Sequence, residues 1–253
     1  MHVIWLASYP KSGNTFLRLL LHSYFFGNNQ DSSTIAKNMP DIHRLLETKR
    51  ELAPNVQHLV KTHFLYSLQH PYAANTIGFI YVLRNPRDVL LSNARFMLDE
   101  QTADQLAEYA RTFIKNMGEP LWEKHNNMGT WPTHVGSWVI ASTRHPHIFV
   151  KYEDLRQDTA NILRRVLRFL GNEPDETKVK AAVAACEIDA VRKKEMAERK
   201  RAGGEASEVF HTRSGDAFVG QGKMGQSLAH LGADIEELYQ KRFGEIAHLF
   251  GYQ

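Results

Sequence analysis

Residues 8–20 read "SYPKSGNTFLRLL" and follow directly on "MHVIWLA" at 1–7. "VIWLA", 3–7, is a continuous apolar run bounded by a turn signal, which is how a buried central strand reads. Lys11-Ser12-Gly13-Asn14-Thr15 must then turn the chain tightly into a helix, and Gly13 lets the backbone approach a ligand closely. The helical pattern runs over 15–26 and ends at Gly27-Asn28-Asn29, residues tolerant of left-handed geometry. The N–H groups of a helix's first turn, with the positive end of its dipole, form a ready anion site. Lys11 adds a full charge to it, and Ser12 and Thr15 add hydroxyl donors. The stretch is therefore a phosphate-binding loop.

Its lysine stands before the glycine. A nucleoside triphosphatase loop reads G-x-x-x-x-G-K-[ST], with the lysine after the last glycine and the hydroxyl on magnesium. That string is absent, and no strand ends in an aspartate suited to a second magnesium contact. The loop provides for a phosphate without evident provision for a metal.

Further apolar runs, rich in β-branched or aromatic residues, lie at 58–63 ("HLVKTH"), 77–84 ("IGFIYVLR") and 147–155 ("HIFVKYEDL"). Helical patterns at 88–98, 103–116, 131–143 and 159–170 separate or follow them. This alternation predicts an α/β fold: a central parallel sheet flanked by helices on both faces, in the nucleotide-binding, kinase-like P-loop architecture. In such sheets ligands bind beyond the carboxyl ends of the strands, so the polar strand ends should converge on one site.

A chain of 253 residues with 43% hydrophobic and 23% charged residues is expected to form a single soluble domain. Its formal charge of +3 suits an anionic small molecule better than a nucleic acid, which calls for a larger and more clustered excess. Cys186 is the one cysteine, which points to a reducing compartment, and no apolar run approaches the roughly 18 residues of a membrane span. A cytoplasmic protein without a membrane anchor is the expectation. Residues 191–225 are charged and then glycine-rich; a solvated helix end with a loop is one reading and a mobile lid over an anionic ligand the other.

Several segments carry a resemblance. "SYPKSGNTF" resembles the 5'-phosphosulfate loop of the cytosolic-type sulfotransferases, whose donor is 3'-phosphoadenosine 5'-phosphosulfate (PAPS) and whose product is 3'-phosphoadenosine 5'-phosphate (PAP). "YVLRNPRDVLLSNARF", 81–96, is similar to that family's 3'-phosphate segment, which implies that Arg84 and Ser92 grip that phosphate. The residues agree: a guanidinium at a strand end offers a forked donor, and Ser92 follows about two helical turns on. "LVKTHF", 59–64, resembles the strand end whose histidine, here His63, is the catalytic base; with thirteen histidines in the chain, the order of all the segments singles it out. "FVKYEDL", 149–155, resembles the segment whose tyrosine, here Tyr152, reaches the adenine. "THVGSW", 133–138, also has the family's look and carries no assigned chemistry.

The likeness then weakens. "ACEIDAVRKKE", 185–195, resembles a segment lying over the adenosine, with Ile188 where an aromatic is usual, and Phe16 stands where a stacking tryptophan is usual. Of the late Arg-Lys-Gly-x-x-Gly motif only Gly222 and Gly225 match, with Lys223 or Arg213 as candidate replacements for the missing cations.

The resemblance implies sulfuryl transfer from PAPS to a hydroxyl or amine of a small molecule, without a metal. A sulfuryl group carries less negative charge than a terminal phosphate, so lysines suffice where a kinase needs magnesium. His63 would take the acceptor's proton, Lys11 follow charge onto the leaving phosphate oxygen, and Lys61 hold the transferring group. The amides of Ser12, Gly13, Asn14, Thr15 and Phe16 would bind the 5'-phosphate. The alternatives are a P-loop small-molecule or nucleotide kinase and a non-catalytic PAPS- or nucleotide-binding protein. Aromatics such as Tyr24, Phe25, Phe64, Tyr66 and Phe96 suggest an apolar or aromatic alcohol as acceptor, or serve as core. Homo-oligomerisation stays open.

Overall fold

Four strands alternate with helices along the chain, and a computed structural model describes residues 1–28, 31–125, 127–201, 209–210 and 222–252. Strands β1 (His2–Ala7), β2 (Gln57–Thr62), β3 (Thr76–Leu83) and β4 (His147–Lys151) form one parallel sheet in the order β2-β1-β3-β4. The order reverses direction at β1, and a crevice at such a switch point is where open α/β sheets bind ligands.

Helices α1 (Asn14–Phe26), α2 (Ser32–Asn38) and α3 (Ile42–Thr48) connect β1 to β2. Between β3 and β4 lie α4 (Pro86–Met97), α5 (Ala103–Asn116), α6 (Pro120–His125) and α7 (Trp131–Ala141). After β4 come α8 (Tyr152–Gln157), α9 (Thr159–Phe169), α10 (Glu176–Ala185), α11 (Ile188–Arg201) and α12 (Ala233–Leu249). None of the helices among the described residues is long and apolar enough to cross a membrane.

Strand alternation divides the core. Trp5, Val60, Phe79, Tyr81 and Leu83 face a layer built from α3, α4, α5, α7 and α12; Leu6, Ile80, Val82 and Val150 face α1, α9 and α10. Helices thus cover both faces, as the alternation predicts. The run at 147–155 differs from expectation: the strand stops at Lys151 and α8 begins at Tyr152. Glu153 causes part of this turn, because its carboxylate accepts from the Asn85 amide at 3.0 Å and from the Tyr252 hydroxyl at 3.1 Å, tying the ends of β3 and β4 together.

Asn85 caps α4 by accepting from the Arg87 amide at 2.9 Å, and Pro86 supplies the preset φ of a first helical residue. One turn in, fully buried Asp88 accepts from the amides of Gly225 at 2.9 Å and Gln226 at 3.2 Å. The late glycine segment is thereby held against α4. Most of the proposed lid at 191–225 lies outside the described residues, as does Arg213; its first part is α11.

Removing Asp88 leaves two backbone donors without their charged acceptor. Asp88→Ala is expected to lower unfolding free energy by about 2 kcal/mol, measured by urea titration.

Candidate active site

The phosphate loop turns at Gly13, the N-cap of α1, with φ +100°. A Cβ there would stand 2.3 Å from Cδ2 of Tyr152, so the tyrosine ring fills the space a side chain would need. Asn14 staples the helix start to β1: its Nδ2 donates to the Leu6 carbonyl at 2.7 Å. Among the described residues the amides of Gly13, Asn14 and Thr15 have no backbone acceptor, whereas those of Ser12 and Phe16 donate to Tyr9 at 3.3 Å and Gly13 at 3.0 Å. Three of the five loop amides are thus left without a backbone acceptor among the described residues. Ser12 is not among the cavity-lining residues, and its buried Oγ has no hydrogen-bond partner among the described residues.

One cavity of about 280 Å³ opens over the carboxyl ends of the strands. Lys11, Thr15, Phe16, Lys61, His63, Arg84, Ser92, Tyr152, Ile188, Gly222 and Lys223 all line it, so the sequence-predicted residues converge. Phe96, offered by the sequence as an acceptor-side aromatic, lines it too, and so do Arg95, Arg156, Trp122 and Met128, which the sequence did not point out. Arg95 follows Ser92 by one turn and Arg156 follows Tyr152 by one turn, a helical spacing that could have pointed to both. No carboxylate among the described residues lines the cavity.

Arg84 is buried and doubly held: it donates from Nη1 to the Lys11 carbonyl at 2.9 Å and from Nη2 to the Lys223 carbonyl at 3.0 Å. Its Nε is buried and has no hydrogen-bond partner among the described residues, and its guanidinium lies 4.4 Å from the centre of the Tyr152 ring. Lys11, with φ +65°, places its ammonium over the Phe96 ring at 4.4 Å. Burial, with the positive charges of Arg84, Lys61 and Arg95 around it, pushes Lys11 down to about 7.

His63 stands where β2 meets the loop after β1. Its Nδ1 lies 2.7 Å from the Ser8 carbonyl oxygen, which can only accept, so Nδ1 carries the proton and Nε2 keeps its lone pair. Burial first, then the charge of Lys61, lowers its pKa well below the ordinary histidine range. The Lys61 ammonium is paired with the buried Asp41 carboxylate. Burial would raise Asp41, but Lys61 and His43 hold it well below the usual carboxylate range. Asp41 also accepts from the His43 amide at 3.1 Å, and His43 Nε2 accepts from the His63 amide at 3.3 Å.

The segment at 133–138 acquires a role from geometry. His134 Nε2 donates to the His63 carbonyl at 3.0 Å and receives the Tyr81 hydroxyl on Nδ1 at 2.8 Å, while Trp138 Nε1 donates to the Phe64 carbonyl at 3.1 Å. The backbone carrying His63 is thus held by α7.

A parallel α/β sheet with a phosphate loop at its switch point and a cation-lined cavity above defines a protein that handles polyanionic nucleotides. Residues 2–251 match the sulfotransferase domain model, and the chain belongs to that family. It is 25% identical to human sulfotransferase 1C2 over 255 residues, covering 94% of this chain and 81% of the relative. Flavonol 3-sulfotransferase of Flaveria bidentis is likewise 25% identical over 265 residues, covering 96% and 80%. In fold the chain is similar to mouse sulfotransferase SULT7A1 complexed with PAP, at TM-score 0.68 and 18% identity, covering 98% and 86%. Retinol dehydratase in a complex with retinol and PAP follows the same fold, at TM-score 0.66 and 17% identity, covering 96% and 80%.

Gly13→Ala brings a Cβ into the Tyr152 ring at a left-handed φ. It is expected to cost about 3 kcal/mol of stability, measured by urea titration, and to abolish nucleotide binding in the fraction that folds.

Proposed function

We propose that this sulfotransferase moves a sulfuryl group from PAPS to a hydroxyl or amine of a small-molecule acceptor, with His63 as general base. The observation that carries the reading is that Lys11, His63, Arg84 and Ser92, from three separate segments, line one cavity. Phe96, Trp122 and Met128 supply an apolar wall for an aromatic or aliphatic body. The donor fits the residues present: three unpaired amides await one phosphate, and Arg84 and Ser92 lie ready for a second.

In this mechanism Nε2 of His63 takes the hydroxyl proton as the oxygen attacks sulfur, and the bond from sulfur to the 5'-phosphate oxygen breaks in line. Lys11 balances the charge that develops on that oxygen, and the loop amides hold the phosphate still. Positioning and charge stabilisation of this kind supply most of the rate in transfers between fixed oxygens. Lys61, bound to Asp41, acts as a fixed positive wall beside His63 and keeps the imidazole neutral. Arg84 and Ser92 select the 3'-phosphate and so distinguish PAPS from ATP. We further take the chain as one domain that works in the reducing cytoplasm, which its buried Cys186 supports.

Calorimetric titration should give tight PAP binding that needs no magnesium and exceeds binding of ATP and 5'-AMP; preference for ATP with magnesium would replace this reading with a kinase. His63→Ala is expected to lower turnover of a phenol or apolar alcohol by about 10²–10⁴-fold while PAP affinity stays within about twofold. Turnover within a few-fold of wild type would remove His63 as base.

Lys11 gives a second test. In the free protein it is pushed down to about 7, and a bound polyanion raises it again. The complex therefore holds a proton that the free protein lacks at pH 8, and PAP affinity falls as pH rises above 7. Titration at pH 8 in buffers of different ionisation enthalpy should show uptake of nearly one proton, declining towards zero at pH 6. No buffer dependence would mean that Lys11 does not meet the phosphate.

A further inference from the structure

Arg156 lines a lobe of the cavity whose other walls are Phe16, Tyr152, Ile188 and Gly222. Its guanidinium carbon lies 5.0 Å from the centre of the Phe16 ring. Its Nε is buried and has no hydrogen-bond partner among the described residues. A buried N–H without an acceptor is costly and marks a donor that waits for one. Gly222 fixes the opposite wall: at φ +63° its backbone runs so close that a Cβ would come within 2.9 Å of Ile188 Cδ1 and 3.7 Å of Arg156 Nε.

The setting separates Arg156 from the other cations of the cavity. The Lys11 ammonium lies over the Phe96 ring and the Arg84 guanidinium over the Tyr152 ring. Arg156 instead rests on the Phe16 ring, with Gly222 and Ile188 beside it. A planar cation on a ring face within apolar walls suits a flat heteroaromatic with acceptor atoms on its edge, and a lone phosphate would find little else there to bind.

We propose that Arg156 recognises the base of the donor nucleotide. In the structure its guanidinium stands on the Phe16 face that a base would stack on. An entering base takes that face and moves the guanidinium to its edge, where Nε–H donates to a ring nitrogen. Phe16 is carried by α1, whose start is stapled to β1, so the long arginine side chain is the part that gives way. Arginine thereby supplies the contact that an aliphatic Ile188 on the facing wall cannot. This proposal rests on PAPS as donor.

The test compares two ligands with the same phosphates, PAP and 1,2-dideoxyribose 3,5-bisphosphate, which has no base. Both are titrated by calorimetry into the wild-type protein, Arg156→Ala and Arg156→Lys. Arg156→Ala is expected to weaken PAP about tenfold and the abasic ligand less than about twofold. Arg156→Lys, which keeps the charge without the planar fork, should bind PAP no better than the alanine variant. Equal losses for both ligands would show that Arg156 acts through the phosphates and overturn the proposal. Unchanged PAP affinity in Arg156→Ala, or full recovery in Arg156→Lys, would overturn it too. A wild-type protein that binds the abasic ligand as tightly as PAP would show no base recognition to assign, and one that binds neither would overturn the donor itself.

Discussion

The hydrogen bond between His63 Nδ1 and the Ser8 carbonyl, 2.7 Å long, joins the ends of β1 and β2 at the point where the phosphate loop departs. Because a carbonyl only accepts, this one contact sets the imidazole tautomer and ties its position to the loop. The imidazole and the phosphate loop then cannot drift apart, and in a transfer reaction a misplacement of about 1 Å between reacting groups can cost about a hundredfold. Around it the protein invests further contacts: His134 and Trp138 on the carbonyls of His63 and Phe64, and His43 on the His63 amide. The imidazole is neutral because it is buried and faces the charge of Lys61.

A cavity lined with this many cations has to be neutralised or relieved when empty. Lys11 does so by holding its proton weakly, with a pKa near 7, and by lying over Phe96. Lys61 does so by pairing with Asp41. Arg84 spreads its charge into two backbone carbonyls and the Tyr152 ring. Each device keeps a cation in place at modest cost, so that the charge is already oriented when a polyanion arrives. The same economy explains why Asp88, fully buried beneath the late glycine segment, points its carboxylate at amides and not at the cavity.

The likeness to sulfotransferases was legible in short segments because each couples a strand end to a turn, and such junctions tolerate few residue types. Gly13 is a clear instance: only glycine combines φ +100° with a ring packed where its Cβ would be. The segment at 133–138 was equally visible as a pattern, yet its use was not, since His134 reaches His63 across 71 residues of sequence. The pairing of Lys61 was hidden for a related reason. Its partner Asp41 lies twenty residues earlier in an irregular turn, and an isolated bridge between those two positions forms only when the turn packs on β2.

By itself the sequence determined the parallel α/β arrangement, the phosphate loop and the set of strand ends that carry the chemistry. These follow from hydrophobic periodicity and from turn residues, which act over a few positions of chain. The end of β4 at Lys151, the helices α2, α3 and α10, and the division of labour among the cations were decided by tertiary structure. α12 falls between the two: Ile235, Tyr239, Phe243 and Ala247 recur four apart, but a mostly polar surface hides that stripe until it meets the face of the sheet. Which donors are left without acceptors, as in Arg84 and Arg156, depends on every neighbour at once. That information does not exist in the chain until burial removes water as the alternative partner.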